Sequence, residues 1–507
     1  MQAPSPLLRT LLWLSALLLL AGCELFKPLV VDNGDTPQTS DRDRDRTDLD
    51  PIQGRRVYDP VTGRYVVVNN APTEPMDTIK WTVLSERDYP PITQEGVDVF
   101  RGNRAGGATA VGGTTTPTAG GFNAVEQTGQ GTDGSRMLTA YNVDYILPFL
   151  ANQTGENNEI DVNSLWALNF YGGSQMALDE LQKSSTLKLN VLSEDTQASP
   201  ERVSSLLSTS VALRNSHVII GPYLRDNVAQ VAEAAKRSGQ VLISPYSAAG
   251  GVTENNPQYI QVNPTLETHC RAILQHVVRT ERSERIVLVS GSTPAQTSRL
   301  ALFQTEYKIA TGNPNVAPLE ELVIDGRNFS LQPYLGGSVT FIVPMYEDET
   351  FVANFLGTLY NSIRNGRSEV AVYGLPQWRD YENVDFDYYE GCNVHVSSSV
   401  FIDQLDPGVR TFRRDFYNRY GALPREEAFV GYGLTKYFMR LLGQYGTQFQ
   451  YQLEREPEDL LHTRMRFERV VSTPAIPGGT ERPVLERWEN KYVNILEFKD
   501  YRFRRVN

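Results

Sequence analysis

Histidine and cysteine are scarce, five and three in 507 residues. His217, His269, His276, His395 and His462 stand apart, and none forms H-E-x-x-H or another metal-ligand spacing. His269 and His276 share one predicted helix, seven positions apart, too far for an i, i+4 ligand pair. All five read as surface or helix-packing residues, and no metal or other cofactor is implied. There is no G-x-S-x-G elbow, and neither Cys270 nor Cys392 lies in a nucleophile signature, so the chain does not read as an enzyme. An exported protein can pair such cysteines, but their distance in sequence leaves the pairing of Cys270 with Cys392 open. Basic runs are missing too. With 48 Lys and Arg against 60 Asp and Glu, net charge is -12, and nucleic acid is excluded as a partner. Long apolar runs stop with Leu20, so no later segment approaches the roughly 20 apolar residues of a transmembrane helix.

What is present begins at the amino terminus. Arg9 precedes an apolar run from Leu11 to Leu20, followed by Ala21, Gly22 and Cys23. A charged start, a short apolar core and small residues at its end describe an export signal. The L-A-G-C ending resembles the lipobox of bacterial lipoproteins. That resemblance makes residues 1–22 a signal peptide and Cys23 an acylated anchor in a lipid bilayer. Glu24, rather than Asp, favours by the same resemblance a periplasm-facing place on the outer membrane over the inner one.

Residues 23–136 read as a lipid-anchored linker. "SDRDRDRTDLD" (Ser40 to Asp50) alternates charge, and Arg101 to Ser135 is rich in Gly and Thr, compositions too polar to offset the cost of ordering the backbone. "RYVVVNN" and "DTIKWTVLSERDYPP" are strand-like exceptions, and whether residues 57–91 fold stays open. Gly129-Gln-Gly131-Thr-Asp-Gly134 matches G-x-G-x-x-G, but no strand leads into it, so it reads as coincidence and not as a dinucleotide site.

Past Arg136 the pattern changes. Tyr141 to Leu147, Thr186 to Asp195, Val218 to Ile220 and Val241 to Ser244 read as strands, separated by segments with helical spacing. Ser199 with Pro200 and Glu201 is a helix start. A second series of strands and helices follows from Cys270 to Leu375. Alternation with short connections predicts parallel sheets flanked by helices. The expected fold is therefore α/β and two-lobed, preceded by a long flexible tether. Lobe 1 covers about 137–263 and 396–446, lobe 2 about 264–395 and 447–507.

Ligands of open α/β sheets bind outside the carboxyl ends of strands, where Gly221-Pro222 and Ser244-Pro245-Tyr246-Ser247 fall. Across 137–507 the chain resembles the type I periplasmic binding proteins, in particular the Leu/Ile/Val receptor group. The matching stretches are Gly173 to Leu178, "SEDTQASPERV", "IIGP", "LISPYSAA", "YIQVNPTLETHCRAI" and "FRRDFYNRYGALPREEAFVGYGLTKY". "NPTLET", "GLPQW" and "VSSSVFID" look most like variants carried by Bacteroidota lipoproteins. The resemblance implies that Tyr223, Leu224, Arg225, Tyr246, Ser247 and Ala248 hold a ligand's polar or anionic group, with Tyr346 and Trp378 contributed by lobe 2. Arg225 clamps a carboxylate or merely faces solvent at a helix start; Tyr346 and Trp378 stack on a ligand or fill core.

One departure bears on the ligand. The family's amino-acid receptors place an Asp just past the lobe crossing to pair with the ligand ammonium, whereas here Leu266 stands at that position and Glu267 follows. Either Glu267 substitutes or the ligand is not a free α-amino acid. Two functions remain: a solute-binding lipoprotein serving an ABC permease or receptor, or a regulatory lipoprotein that binds an envelope protein such as a peptidoglycan synthase.

Overall fold

The computed structural model describes residues 55–59, 64–68, 127–130, 134–153, 160–281, 283–326, 329–364, 366, 368–472 and 483–507. The expected signal peptide, Cys23, "SDRDRDRTDLD" and "DTIKWTVLSERDYPP" lie outside them. One compact unit, residues 29–107, contributes an antiparallel hairpin of β1 (Arg55–Asp59) and β2 (Arg64–Val68).

The other unit holds two seven-stranded sheets. It opens with β3 (Gln127–Gln130) paired antiparallel to β4 (Arg136–Leu138). Residues 127–130 of the glycine-rich stretch thus pair as a strand, and the linker expected to reach residue 136 gives way to structure earlier, while 101–126 lie outside the described residues. Ser135 is buried, donating to the Tyr445 carbonyl at 2.5 Å and accepting the Gln448 N–H at 3.0 Å.

The first lobe is built from β5 (Tyr141–Leu147), α1 (Leu165–Ser184), β6 (Leu189–Asp195), α2 (Pro200–Thr209), α3 (Val211–Asn215), β7 (Val218–Ile220), α4 (Arg225–Ser238), β8 (Val241–Ser244) and β9 (Tyr259–Gln261). Its β5 to β9 pairings are parallel, as short strand-helix-strand crossovers require. Ser199 accepts the Arg202 N–H and Pro200 opens α2, the start legible in the sequence.

The second lobe follows with α5 (Leu266–Thr280), β10 (Arg285–Gly291), α6 (Pro294–Thr311), β11 (Glu320–Ile324), β12 (Ser338–Ile342), α7 (Glu349–Ile363), β13 (Glu369–Gly374), α8 (Phe386–Gly391) and β14 (Val394–Ser398). The chain then returns to lobe 1 through α9 (Pro407–Tyr420), α10 (Glu426–Tyr445), the small hairpin β15 (Glu458–Asp459) and β16 (Arg464–Met465), and β17 (Phe467–Val471) with β18 (Leu485–Asn490). β18 pairs parallel to β9 and extends the first sheet, while β19 (Asn494–Lys499) pairs antiparallel to β14 and β20 (Arg502–Arg505) to β19, at the edge of the second.

This differs from the expected boundary at 446/447. Residues 467–490 belong with lobe 1, because Trp488 lies opposite Ile260 and buries its ring in the first-lobe core. The 394–398 strand, by contrast, completes the parallel run of lobe 2 before the chain crosses.

α1 and α10 cross at a seam of small residues. A Cβ on Gly173 would lie 1.9 Å from the Ala428 carbonyl oxygen, and one on Gly431 2.0 Å from that of Phe170. Glycine at both positions lets the backbones touch, and Ser174 Oγ donates to the Gly431 carbonyl across the seam at 3.2 Å.

Cys270 and Cys392 are free thiols buried in different clusters of the second-lobe core. Burial raises the Cys392 thiol to about 12. The α5 histidines pack inward: His276 Nδ1 lies 2.9 Å from the Tyr373 hydroxyl and His269 Nδ1 3.0 Å from Ser397 Oγ. Among the described residues no group of His, Cys, Asp and Glu suits a metal ion, and no helix is long and apolar enough to cross a membrane.

Candidate functional site between the lobes

β7 and β8 are parallel neighbours, so the loops after them emerge side by side. Gly221-Pro222 and Pro245 end the strands, and the next residues gather aromatic rings. Tyr223 and Tyr246 have centroids 6.2 Å apart, and Trp166, in the first turn of α1, approaches them to 4.6 and 5.4 Å. Phe170, one turn later, stands 6.0 Å from Tyr246. Burial pushes the Tyr223 hydroxyl up to about 12. Tyr246 is held well above its ordinary value by burial and by the neighbouring Glu427 and Glu426, and its hydroxyl has no hydrogen-bond partner among the described residues.

The other first-lobe candidates are placed differently. Ser247 is 6% exposed, and its hydroxyl, like that of Ser244, lies near the buried Tyr259 hydroxyl against the lobe's own core. Leu224 is the cap residue of α4 and Arg225 its first residue, both half-buried, as is Ala248.

In the second lobe, Tyr346 follows β12 and lies under the Arg299 guanidinium, 4.3 Å from the ring centroid. Arg299 also forks onto both Glu347 carboxylate oxygens at 2.8 and 2.9 Å. Trp378 is 0% exposed, and its indole N–H donates to the Met345 carbonyl at 2.5 Å. Its ring lies so close over Gly374 that a Cβ there would meet it at 2.3 Å. Trp378 fills core. Glu267 is 57% exposed and pairs with Arg271 one turn along its own helix at 3.0 Å, so it supplies no counter-charge between the lobes.

Arg379, which the sequence reading passed over, stands next to Trp378. It donates from Nη1 to Ser398 Oγ and to the Val400 carbonyl, both at 2.8 Å, and its Nη2 lies 3.8 Å from Glu426 at the start of α10. That contact joins the lobes. Glu426 is 46% exposed on its side chain. Even so, the surrounding protein desolvates its carboxyl and brings it to about 7, with Arg379 opposing the rise and Glu427 and Asp380 adding to it. Asp380 is likewise raised, chiefly by burial. The opening thus presents aromatic faces from one lobe, a guanidinium from the other, and three carboxylates. The signal available in the sequence was modest: Arg379 ends "GLPQWR", and Glu426-Glu427 open the "EEAFVGYG" helix.

No family model and no curated protein matches the chain. Solved structures do. A candidate branched-chain amino acid ABC transporter protein of Rhodospirillum rubrum superposes with a TM-score of 0.51 at 14% identity, over 72% of this chain and 100% of its own. A substrate-binding protein of an ABC transporter from Desulfitobacterium hafniense, in complex with Leu, gives 0.45 at 14% identity over 72% and 100%. Full-length LpoA of Haemophilus influenzae gives 0.46 at 13% identity over 73% and 60%. The first establishes the two-lobed fold of type I periplasmic binding proteins; the other two, below 0.5, add nothing to that assignment.

Proposed function

We propose that this chain is a lipid-anchored binding protein whose lobes close over a small polar molecule. The carrying observation is the arrangement of Trp166, Tyr223 and Tyr246 at the carboxyl ends of lobe 1 strands, with Arg379 of lobe 2 reaching Glu426 across the opening. Aromatic faces bury the apolar part of a ligand, and the unpartnered Tyr246 hydroxyl supplies a polar contact. Arg379 stands beside Glu426 and Asp380, both raised toward neutrality by burial, and Glu427 pairs with Arg425 at 3.8 Å, so little net charge remains and a neutral polar group fits best. A free α-amino acid is the poorer fit, since Glu267 is turned away on the outer face of α5. Acylated Cys23 would hold the protein at the outer membrane facing the periplasm, where an ABC permease or receptor receives the ligand.

Native mass spectrometry of protein purified from its host, followed by thermal-shift screening of the recovered molecule, tests this. A true ligand at about 100 times its Kd stabilises by roughly 2.7 kcal/mol, and Tyr246→Phe together with Arg379→Gln should remove the shift. If neither substitution alters ligand binding, the cleft assignment fails. The second reading, a regulator that binds an envelope protein, is favoured by the 103 residues between Cys23 and the start of β3 at Gln127, more chain than delivery to a nearby permease requires.

A further inference from the structure

A second cavity, of about 270 Å³, lies at the opposite end of the lobe 1 strands from the aromatic cluster. Its walls come from the amino ends of β7 and β8, the strands that Tyr223 and Tyr246 follow, and from the carboxyl ends of α3 and α4. β4 and the turn after α10 supply the remaining side. Two guanidinium groups, those of Arg136 and Arg214, line it, and no Asp or Glu does. Among the described residues neither arginine pairs with a carboxylate. Arg214 gives one N–H to the Ser208 carbonyl, and both side chains are exposed, so their charge is unspent.

The rest of the lining adds donors held in place. His217 Nδ1 accepts the Asn142 N–H at 2.9 Å, so the proton of the neutral ring sits on Nε2. Burial, and then the charge of Arg136, lowers this histidine to about 4, which keeps that tautomer at neutral pH. Thr447 Oγ accepts the Arg136 backbone N–H at 3.1 Å, and Gln448 Oε1 accepts from Gln450 at 2.8 Å. Their own O–H and N–H groups are left to donate. Buried Gln240 donates to the Leu213 and Ser216 carbonyls at 2.7 and 2.8 Å and fastens α3 to the start of β8. The helix ends work against this charge, but α3 has only five residues. The end of α4 brings about half a negative charge, against two full positive ones.

We propose that this pocket binds a phosphate-type oxyanion, either inorganic phosphate or the phosphoryl end of a small molecule. Two guanidinium groups match its double charge, and donors from several walls match its tetrahedral oxygens. A planar, singly charged carboxylate would use fewer of them. A metal ion would be repelled and would find no carboxylate here. An apolar solute would strip water from the donors and give nothing back. The space is also too small to seat a helix, roughly 10–12 Å across with its side chains. The site does not rest on the reading of the cleft between the lobes, because the strands of the first sheet stand between the two.

Calorimetric titration of the full chain with sodium phosphate at low salt is expected to give saturable binding with a Kd below about 1 mM. Arg136→Gln with Arg214→Gln should weaken it by about tenfold or more. Arg279→Gln with Arg410→Gln removes the same charge at exposed positions elsewhere and should change it by less than about twofold. Arg136→Lys with Arg214→Lys keeps the charge but loses the planar fork, and should fall between the two. All these positions are exposed, so Tm should stay at the parental value and a loss of binding is not a loss of fold. Glycerol 3-phosphate separates the two sources. Tighter binding than phosphate means that the site takes the phosphoryl end of a larger molecule, and equal or weaker binding means that it takes the free ion. No saturation up to about 10 mM phosphate, or equal losses in the two glutamine pairs, overturns the proposal. So does loss of phosphate binding through the cleft substitutions Tyr246→Phe and Arg379→Gln in place of the arginine pair, which would put the anion between the lobes.

Discussion

Asp144 sits in the middle of β5 with both carboxylate oxygens buried and without a hydrogen-bond partner among the described residues. Burial, helped by the charge of Glu194, raises its pKa from 3.8 to about 8. The folded protein therefore holds a proton at neutral pH that the unfolded chain releases. Stability from this group is fully present below about pH 4 and is lost as pH rises through 8. Asp144→Asn is expected to stabilise the protein by about 2–4 kcal/mol at pH 7 and to flatten that decline, as urea titrations from pH 4 to 9 would show. Glu489 is the opposite case. It accepts from Thr265 N–H at 3.1 Å, Thr265 Oγ at 2.8 Å and Thr268 Oγ at 2.6 Å, and pairs with Lys491 at 2.9 Å and Arg487 at 2.7 Å. Burial alone would raise its carboxyl, but the two cations and the hydrogen bonds outweigh it and leave it at about 2. Its contribution is present above about pH 4.5 and disappears as pH falls toward 2. Glu489→Gln leaves two buried cations poorly compensated, and a loss of about 3–5 kcal/mol at pH 7 is expected in the same titrations.

At the level of elements, the α1–α10 seam should be the least tolerant surface in lobe 1. Gly431→Ala inserts a methyl where the Phe170 carbonyl already sits, and a loss of about 2–3 kcal/mol in chemical denaturation is expected. A Gly431→Ala protein as stable as the parent would mean that the two helices separate easily. The alternation of β5 to β9 with helices was readable because each strand is a short apolar run ended by a turn-forming residue. The place of β17 and β18 was not, since an edge pair reached after two lobe crossings leaves no local mark of which sheet it joins. Individual site residues were read unevenly for a similar reason. Tyr223 and Tyr246 could be brought together from strand order alone, whereas Trp378 and Ser247 turn inward through contacts with Met345 and Tyr259, distant in sequence. Glu489, in "RWENK", looks like a surface residue until Thr265 and Thr268 are placed around it.

For the whole molecule, the first expectation concerns attachment. Cys23→Ala should abolish fatty-acid labelling and move the protein from the membrane to the soluble fraction; unchanged membrane recovery would remove the anchor from the proposal.

The Glu489 cluster has a mechanical meaning beyond its energy. Glu489 ends a strand of the first lobe, Thr265 and Thr268 begin the first helix of the second, and Lys491 starts the last crossing. Groups from two of the chain's passages between lobes are thus fastened to one buried carboxylate, like the pin of a door. Rotation about a pin sweeps the far edge and hardly moves the near one. Spin labels at Arg425 and Asp380, on either side of the opening, should change separation when ligand binds, while labels at Arg466 and Glu267, beside the pin, keep theirs. A double-electron-resonance measurement in which both pairs shift alike would mean that the lobes slide instead of swinging.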